Sequence, residues 1–337
     1  MADAEMDAFA AEKASTADLQ RALQTALRKL AKAKASREEL VAAVHSAAHD
    51  AALAYPHPPP IKRPSKGKPG DHWALAHLTD WQRGKVTVSY SSEIADKRVG
   101  QCVEKILRIT DLQRHAYGVS SCALLLGGDM LEGTTIFPAQ SWEVDASLYD
   151  QLFGCAALIE RVVRTLLEDF DRVEVWEERG NHGRIGKYGE QPAQDNTDAM
   201  AYRIAREKIG ANKRLVWHPI ENFYNHGTIG AYTFMLIHGD EIKSFGGNVP
   251  AFGIIRKANS WASGVVEPFR DLYLGHFHTP QVLSLANGGH AYGTGTTESG
   301  NEYAREFCAA TGRPHQRLHF IDPEAGRVAA IYDLWLD

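Results

Sequence analysis

An α/β layered fold is predicted for most of the chain by three observations. From residue 71 onward, short apolar runs alternate with amphipathic helical stretches. Five of the apolar runs end in a polar, metal-capable side chain, and three of those side chains directly follow a glycine. The composition, 44% hydrophobic and 23% charged, suits a globular protein and excludes a disordered or fibrous one.

The elements follow in chain order. Residues 15–54 read as helix, because Leu19, Leu23, Leu27 and Leu30 recur at helical spacing among alanine and lysine. Ser36-Arg37-Glu38-Glu39 is a capping-box pattern that starts a second helix if the segment is a pair. Residues 56–70 are rich in proline and hold four basic residues and no acid, the composition of an extended linker. The expected organisation is therefore a helical segment over 1–55, a Pro/Lys-rich linker over 56–70 and one larger domain over 71–337. In that body, strands are expected at Trp73–Thr79, Cys122–Leu126, Val173–Glu177, Tyr232–Ile237 and Leu272–Leu274. Helices are expected at 99–115, 149–169 and 196–209, the last capped within Asp195-Asn196-Thr197. Arg317–Ile321 and Arg327–Trp335 flank a turn-rich insert and read as a hairpin.

Charge and cysteine content narrow the function. Lysine and arginine number 37 and aspartate and glutamate 42, for a net charge of −5. Residues 1–70 hold 11 basic and 8 acidic side chains, leaving 26 basic and 34 acidic in the remainder. An acidic body is compatible with cation-binding carboxylates and argues against broad, non-specific duplex binding. No apolar run approaches the roughly 18 to 20 residues that cross a bilayer, so no membrane role is expected. The N-terminus has no secretory character, and four cysteines without C-x-x-C spacing fit a reducing cytoplasm.

The strand ends carry the chemistry. They run into Asp80-Trp81-Gln82, Gly128-Asp129, Gly180-Asn181-His182-Gly183-Arg184, His238-Gly239-Asp240 and Gly275-His276-Phe277-His278. In open α/β sheets, ligands bind beyond the carboxyl ends of strands. The glycines stand where the chain turns sharply and approaches a site closely. Mixed nitrogen and oxygen donors suit Mn²⁺, Fe²⁺ or Zn²⁺ rather than Ca²⁺ or Cu⁺. Asp240 is a candidate to orient a ligand histidine. His226, His290 and Tyr303 are candidates to reach the substrate cleft, and His77 reads as a core residue.

This ordered series resembles the signature of the calcineurin-like metallophosphoesterases over about residues 73–280. Gly-Asn-His-Gly-Arg at 180–184, Glu132-Gly133 and Asn301-Glu302-Tyr303 resemble a phage-type branch similar to DNA-repair exonucleases. The resemblance implies two packed mixed β-sheets flanked by helices, with a two-metal centre at one edge. It implies that Asp80 and His278 hold the first ion, Asp129 bridges, and Asn181, His238 and His276 hold the second. His182 would face the substrate phosphate as a catalytic group, with Arg184 pairing a phosphate oxygen. The family pattern reads Asp-x-His in its first motif, whereas here Gln82 takes the histidine's place. A neutral amide oxygen implies a looser first site that favours a harder ion. Mn²⁺ is the expected ion, with Fe²⁺, Zn²⁺ and Ni²⁺ as others the donors admit.

The implied reaction is hydrolysis of phosphodiester bonds by a water activated between two divalent ions, with DNA as the substrate of a nuclease. Independent support for DNA is the basic linker, Arg184, and Lys187, Arg203, Arg206 and Lys208 near the third motif. A second reading is a small-molecule or cyclic-nucleotide phosphodiesterase or phosphatase. A third is a metal-poor scaffold in which Gln82 marks decay. The N-terminal helices are candidates to join two copies of the chain.

Overall fold

In the computed structural model, residues 18–25, 28, 37–54, 71–137, 140–186, 188–243, 249–299 and 313–337 are described. The chain divides into two compact units, Met1–Gly67 and Lys68–Asp337. In the first, residues 18–25 are helical and helix α1 spans Arg37–Ala54, with Val41 and Val44 exposed. The candidate cap Ser36 and the expected linker over 56–70 lie outside the described residues.

The second unit contains, in chain order, β1 (Asp71–Leu78), α2 (Ser92–Arg114), β2 (Gly118–Leu126), α3 (Leu148–Asp169), β3 (Arg172–Glu177), α4 (Thr197–Ile209), β4 (Leu215–His218), β5 (Asn225–Ile229), β6 (Tyr232–Leu236), α5 (Ala251–Ser260), β7 (Asp271–Leu274), β8 (Gln281–Ser284), β9 (His290–Gly293), β10 (His315–Asp322) and β11 (Arg327–Trp335). One sheet has the order β11-β10-β1-β2-β3-β4, and the other β5-β6-β7-β9-β8. In the first, β1 to β4 are parallel and the terminal hairpin is antiparallel. In the second, β6, β7 and β9 are parallel and both edges are antiparallel. Both sheets are thus mixed, and helices flank them.

Strand alternation builds the layers. Leu75, Leu125 and Trp176 from the first sheet meet Phe234, Leu236 and Tyr273 from the second. The opposite faces of β1 and β2 put Ala74, Ala76, Cys122 and Leu124 under α2, α3 and α4. Met235, Leu272 and Leu274 lie on the outer face of the second sheet, with Ile254 and Ala258 of α5. Strands buried on both faces read as continuous apolar runs, which is why β1 and β2 are visible in the sequence. Each fully buried leucine or phenylalanine contributes roughly 1.5 to 3 kcal/mol.

The differences from the sequence-based boundaries have local causes. Helix α2 begins at Ser92 rather than residue 99, because Ser91 caps it by accepting from Ile94 N and Glu93 favours its first turn. Asn196 caps α4, accepting from Asp198 N and Ala199 N. Strands β4, β5, β8 and β9 are four or five residues long and lack the buried apolar run that marks β6 and β7 at the same length. Helix α5 carries Gly253 and was not expected.

Glu177 closes β3 with its side chain 5% exposed, 3.9 Å from Arg206. Burial pushes its carboxyl up from 4.5 to about 7, with Arg206 offsetting only part. The group holds its proton more tightly folded than unfolded. Its contribution is therefore fully present below about pH 4.5 and is lost as pH rises through 7. Glu177→Gln should remove about 3 kcal/mol of pH dependence, at roughly 1.4 kcal/mol per pH unit. Denaturant unfolding of both proteins at pH 4.5 and pH 8 checks this, and parallel stability curves would contradict it.

Candidate metal centre

Strands β1, β2, β3, β6 and β7 end at one rim, and backbone hydrogen bonds tie their loops together. Asp80 N donates to Gly128 O (3.0 Å), Gln82 N to Asp129 O (2.9 Å) and Gly275 N to His238 O (2.9 Å). The carboxylate of Asp198, in the first turn of α4, accepts from Asp129 N (2.9 Å), Met130 N (3.0 Å) and Gly180 N (2.9 Å). Two loops separated by some fifty residues are therefore held by one side chain. Burial and the nearby Asp129 push Asp198 up to about 6, while the N–H bonds pull it back.

The approach of those loops demands glycine. A Cβ on Gly180 would stand 1.9 Å from Asp129 Oδ1, and one on Gly128 would stand 2.4 Å from Gly180 N. Gly128 also has φ of +86°, where an L side chain is strained.

Among the described residues, the non-glycine residues with left-handed backbone are Asp80, Gln82, Asp129, His276 and His278. All five are ligand candidates from the sequence. Such conformations cost roughly 1 to 3 kcal/mol each and persist where the surroundings over-determine them. Here the strain aims five polar side chains inward from the turns.

The side chains converge. Asp129 Oδ2 lies 3.0 Å from His238 Nε2, and Asn181 Oδ1 lies 3.2 Å from the same nitrogen. His238 Nδ1 donates to the Gly127 carbonyl (2.9 Å), which directs Nε2 toward Asp129. Asp80 Oδ1 is 3.3 Å from His278 Nε2, and Asp80 Oδ2 accepts from His276 N (3.0 Å). Burial alone would lower His238, but the Asp129 carboxylate outweighs it and holds the imidazole well above its ordinary value. Burial would likewise raise Asp129 and Asp80, yet the histidines hold both below the usual carboxylate range. Burial and the His238 charge push His276 down to about 4, leaving it a neutral donor.

This donor set fits a divalent cation. Asp129, His238 and His276 each offer a donor atom, all within 4.8 Å of one another. Gln82 Oε1 is buried without a hydrogen-bond partner. Buried nitrogen and oxygen donors around two carboxylates suit a borderline or hard ion, whose charge would compete with the proton on His238.

His182 stands beside this cluster. Its backbone N donates to Asp129 Oδ1 (2.7 Å), and its Nδ1 faces the Glu132 carbonyl (3.0 Å) and Glu132 Oε2 (3.2 Å). Burial would lower it, but Asp129 and Glu132 raise it to about 9. Gln140, fully buried, donates through Nε2 to the Glu132 carbonyl (2.8 Å) and holds that corner. Arg184 Nε donates to the Asn181 carbonyl (3.1 Å), and its guanidinium lies over the Tyr188 ring.

Other candidates fall elsewhere. Asp240 lies 3.8 Å from Arg184 Nη1, and the orienting partner of His238 is the Gly127 carbonyl instead. His226, on the edge strand β5, bonds to the Pro268 carbonyl (2.9 Å), and His290 pairs with Asp271 at 4.0 Å. His77 is fully buried and bonds Thr294, as a core residue does. Tyr303 and Lys187 lie outside the described residues. Arg203, Arg206 and Lys208 are in ion pairs with Glu207, Glu177 and Glu160. Sequence reasoning missed Asp198 and Gln140, which no motif marks. It gave Glu132 no role, although its place three residues after Asp129 is a usable signal.

No family model matches the chain, and no curated protein does. Solved structures do. A Streptococcus pneumoniae TIGR4 protein described as a predicted phosphoesterase is 11% identical, with 78% of this chain and 97% of that chain covered and a TM-score of 0.31. A Vps29 from Entamoeba histolytica is 11% identical, covering 78% and 99%, with a TM-score of 0.35. A dimetal phosphatase from Danio rerio is 8% identical, covering 79% and 99%, with a TM-score of 0.36.

Asp198→Ala leaves three buried N–H groups without an acceptor. It should destabilise the protein by about 3 kcal/mol or more and lower its melting temperature, since each such group costs roughly 1 to 3 kcal/mol. An unchanged melting curve would count against the linking role of Asp198.

Proposed function

We propose that this chain is a metal-dependent phosphoesterase that hydrolyses phosphodiester bonds, with DNA as substrate. The observation that carries the reading is the set of five strained, inward-aimed residues: Asp80, Gln82, Asp129, His276 and His278. In this reading Asp80, Gln82 and His278 hold one divalent ion, Asn181, His238 and His276 hold another, and Asp129 is shared. Mn²⁺ is the proposed ion, because an amide oxygen in place of an imidazole favours a harder cation. Bound ions of this kind lower the pKa of water and neutralise phosphate charge.

The chain's own residues supply the rest. The Nδ1 of His182 is engaged by Glu132, so Nε2 is its free ring nitrogen. Glu132 beside Nδ1 favours the charged ring, and a proton on Nε2 would go to the departing oxygen. Arg184, tied to the Asn181 carbonyl, offers a planar fork to a non-bridging phosphate oxygen. A narrower substrate, a small or cyclic nucleotide, is favoured by one observation. The basic residues of α4 are bound in ion pairs, which leaves little free positive surface for a long polyanion.

His182→Ala should keep Mn²⁺ binding in calorimetry and lose about 10² to 10⁴-fold in turnover. Loss of metal together with activity would contradict its assignment to the substrate. The deciding experiment presents single-stranded DNA, duplex DNA, a cyclic nucleotide and bis(p-nitrophenyl) phosphate to the Mn²⁺-loaded protein, beside Asp129→Ala. DNA cleavage by the wild type alone is expected. Cleavage confined to the small esters would move the substrate to nucleotides, and no cleavage of any substrate would sink the enzyme reading.

A further inference from the structure

We propose that Glu298, paired with Lys85, is the positioning carboxylate of His278, fixing its tautomer and aiming Nε2 at the first ion. The inference rests on the dinuclear reading. The two ring nitrogens of His278 face two different carboxylates. Nε2 is 3.3 Å from Asp80 Oδ1, and Nδ1 is 3.5 Å from Glu298 Oε2. A histidine that gives one nitrogen to a cation keeps its proton on the other, and that proton needs an acceptor. Glu298 stands on that side of the ring. Its side chain is 1% exposed, and its Oε1 lies 3.0 Å from Lys85 Nζ, itself 10% exposed.

A buried ion pair brings little stability over apolar residues of the same volume. The placement of this one against a ligand candidate points to a role at the site. Glu298 is also held rigidly. Its N–H donates to Thr296 Oγ1 (2.9 Å), and that hydroxyl donates to the Asp80 carbonyl (2.7 Å). Thr297 N donates to the same carbonyl (3.2 Å), and Arg98 holds the Thr297 carbonyl (2.7 Å). The loop that carries Glu298 is thus fastened to the loop that carries Asp80. The carboxylate further compensates for Gln82. A neutral amide weakens the first site, and a negative charge behind His278 raises the basicity of its Nε2.

The test is Mn²⁺ binding by calorimetry, with the Mn²⁺ electron paramagnetic resonance spectrum, on wild type, Glu298→Ala, Glu298→Gln, His278→Ala and the double variant Glu298→Ala/His278→Ala. The wild type should bind two ions and give an exchange-coupled spectrum. Glu298→Ala should weaken one ion by about 10- to 100-fold and turn the spectrum mononuclear, with the other ion unchanged. Glu298→Gln, which keeps the shape but removes the charge, should show the same one-ion loss while binding the other ion with wild-type affinity. In the His278→Ala background, Glu298→Ala should cost nothing further. An equal loss in both backgrounds would mean that Glu298 acts on the fold and not through His278, which overturns the proposal. Two ions bound with wild-type affinity by both Glu298 variants would also overturn it. A wild type that binds fewer than two ions overturns the dinuclear reading itself, an outcome distinct from these.

Discussion

One carboxylate holds the candidate centre together. Asp198 accepts three backbone N–H groups, from Asp129, Met130 and Gly180, and so joins the turn after β2 to the turn after β3. Neither turn has a ladder of its own to satisfy those donors, and a buried donor without an acceptor is costly. The placement of Asp129, its distance from His238 and the hydrogen bond from His182 N all depend on this junction. Helix α4 delivers Asp198 because Asn196 caps its start two residues earlier.

The same junction explains the strain at the rim. Chains arriving from parallel strands must reverse within two or three residues if their side chains are to meet. Glycine at 128 and 180 lets two backbones touch, and left-handed turns at Asp80, Asp129 and His276 then direct the side chains inward. The cost falls on the functional edge and is offset by the two-sided burial of β1 and β2.

Charge is managed in pairs. At the rim, carboxylates face opposite partners: Asp129 with His238, Asp80 with His278, Glu132 with His182, Glu298 with Lys85. Such an arrangement offers a cation ionised carboxylates together with histidines whose protons it would displace.

Much of this is legible along the chain. The apolar runs mark β1, β2, β3, β6 and β7, and the residues after them are the ones that meet, because a strand's end is a local event. The glycine before Asp129, Asn181 and His276 marks the close approach. What the linear order could not contain is every contact made by a residue without a motif. Asp198 reads as an ordinary first-turn acid, Gln140 as a loop residue, and Glu298 as one acid in a Gly/Thr-rich stretch. Asp240 and His226 look as eligible as His238, yet one lies beside Arg184 and the other bonds Pro268. By itself the sequence determined the layered fold and the residues placed at its strand ends, since period and turn chemistry act over neighbouring residues. Only the tertiary structure decided which carboxylate faces which histidine, since hydrogen bonds and charge pairing act over a few ångströms between segments up to two hundred residues apart.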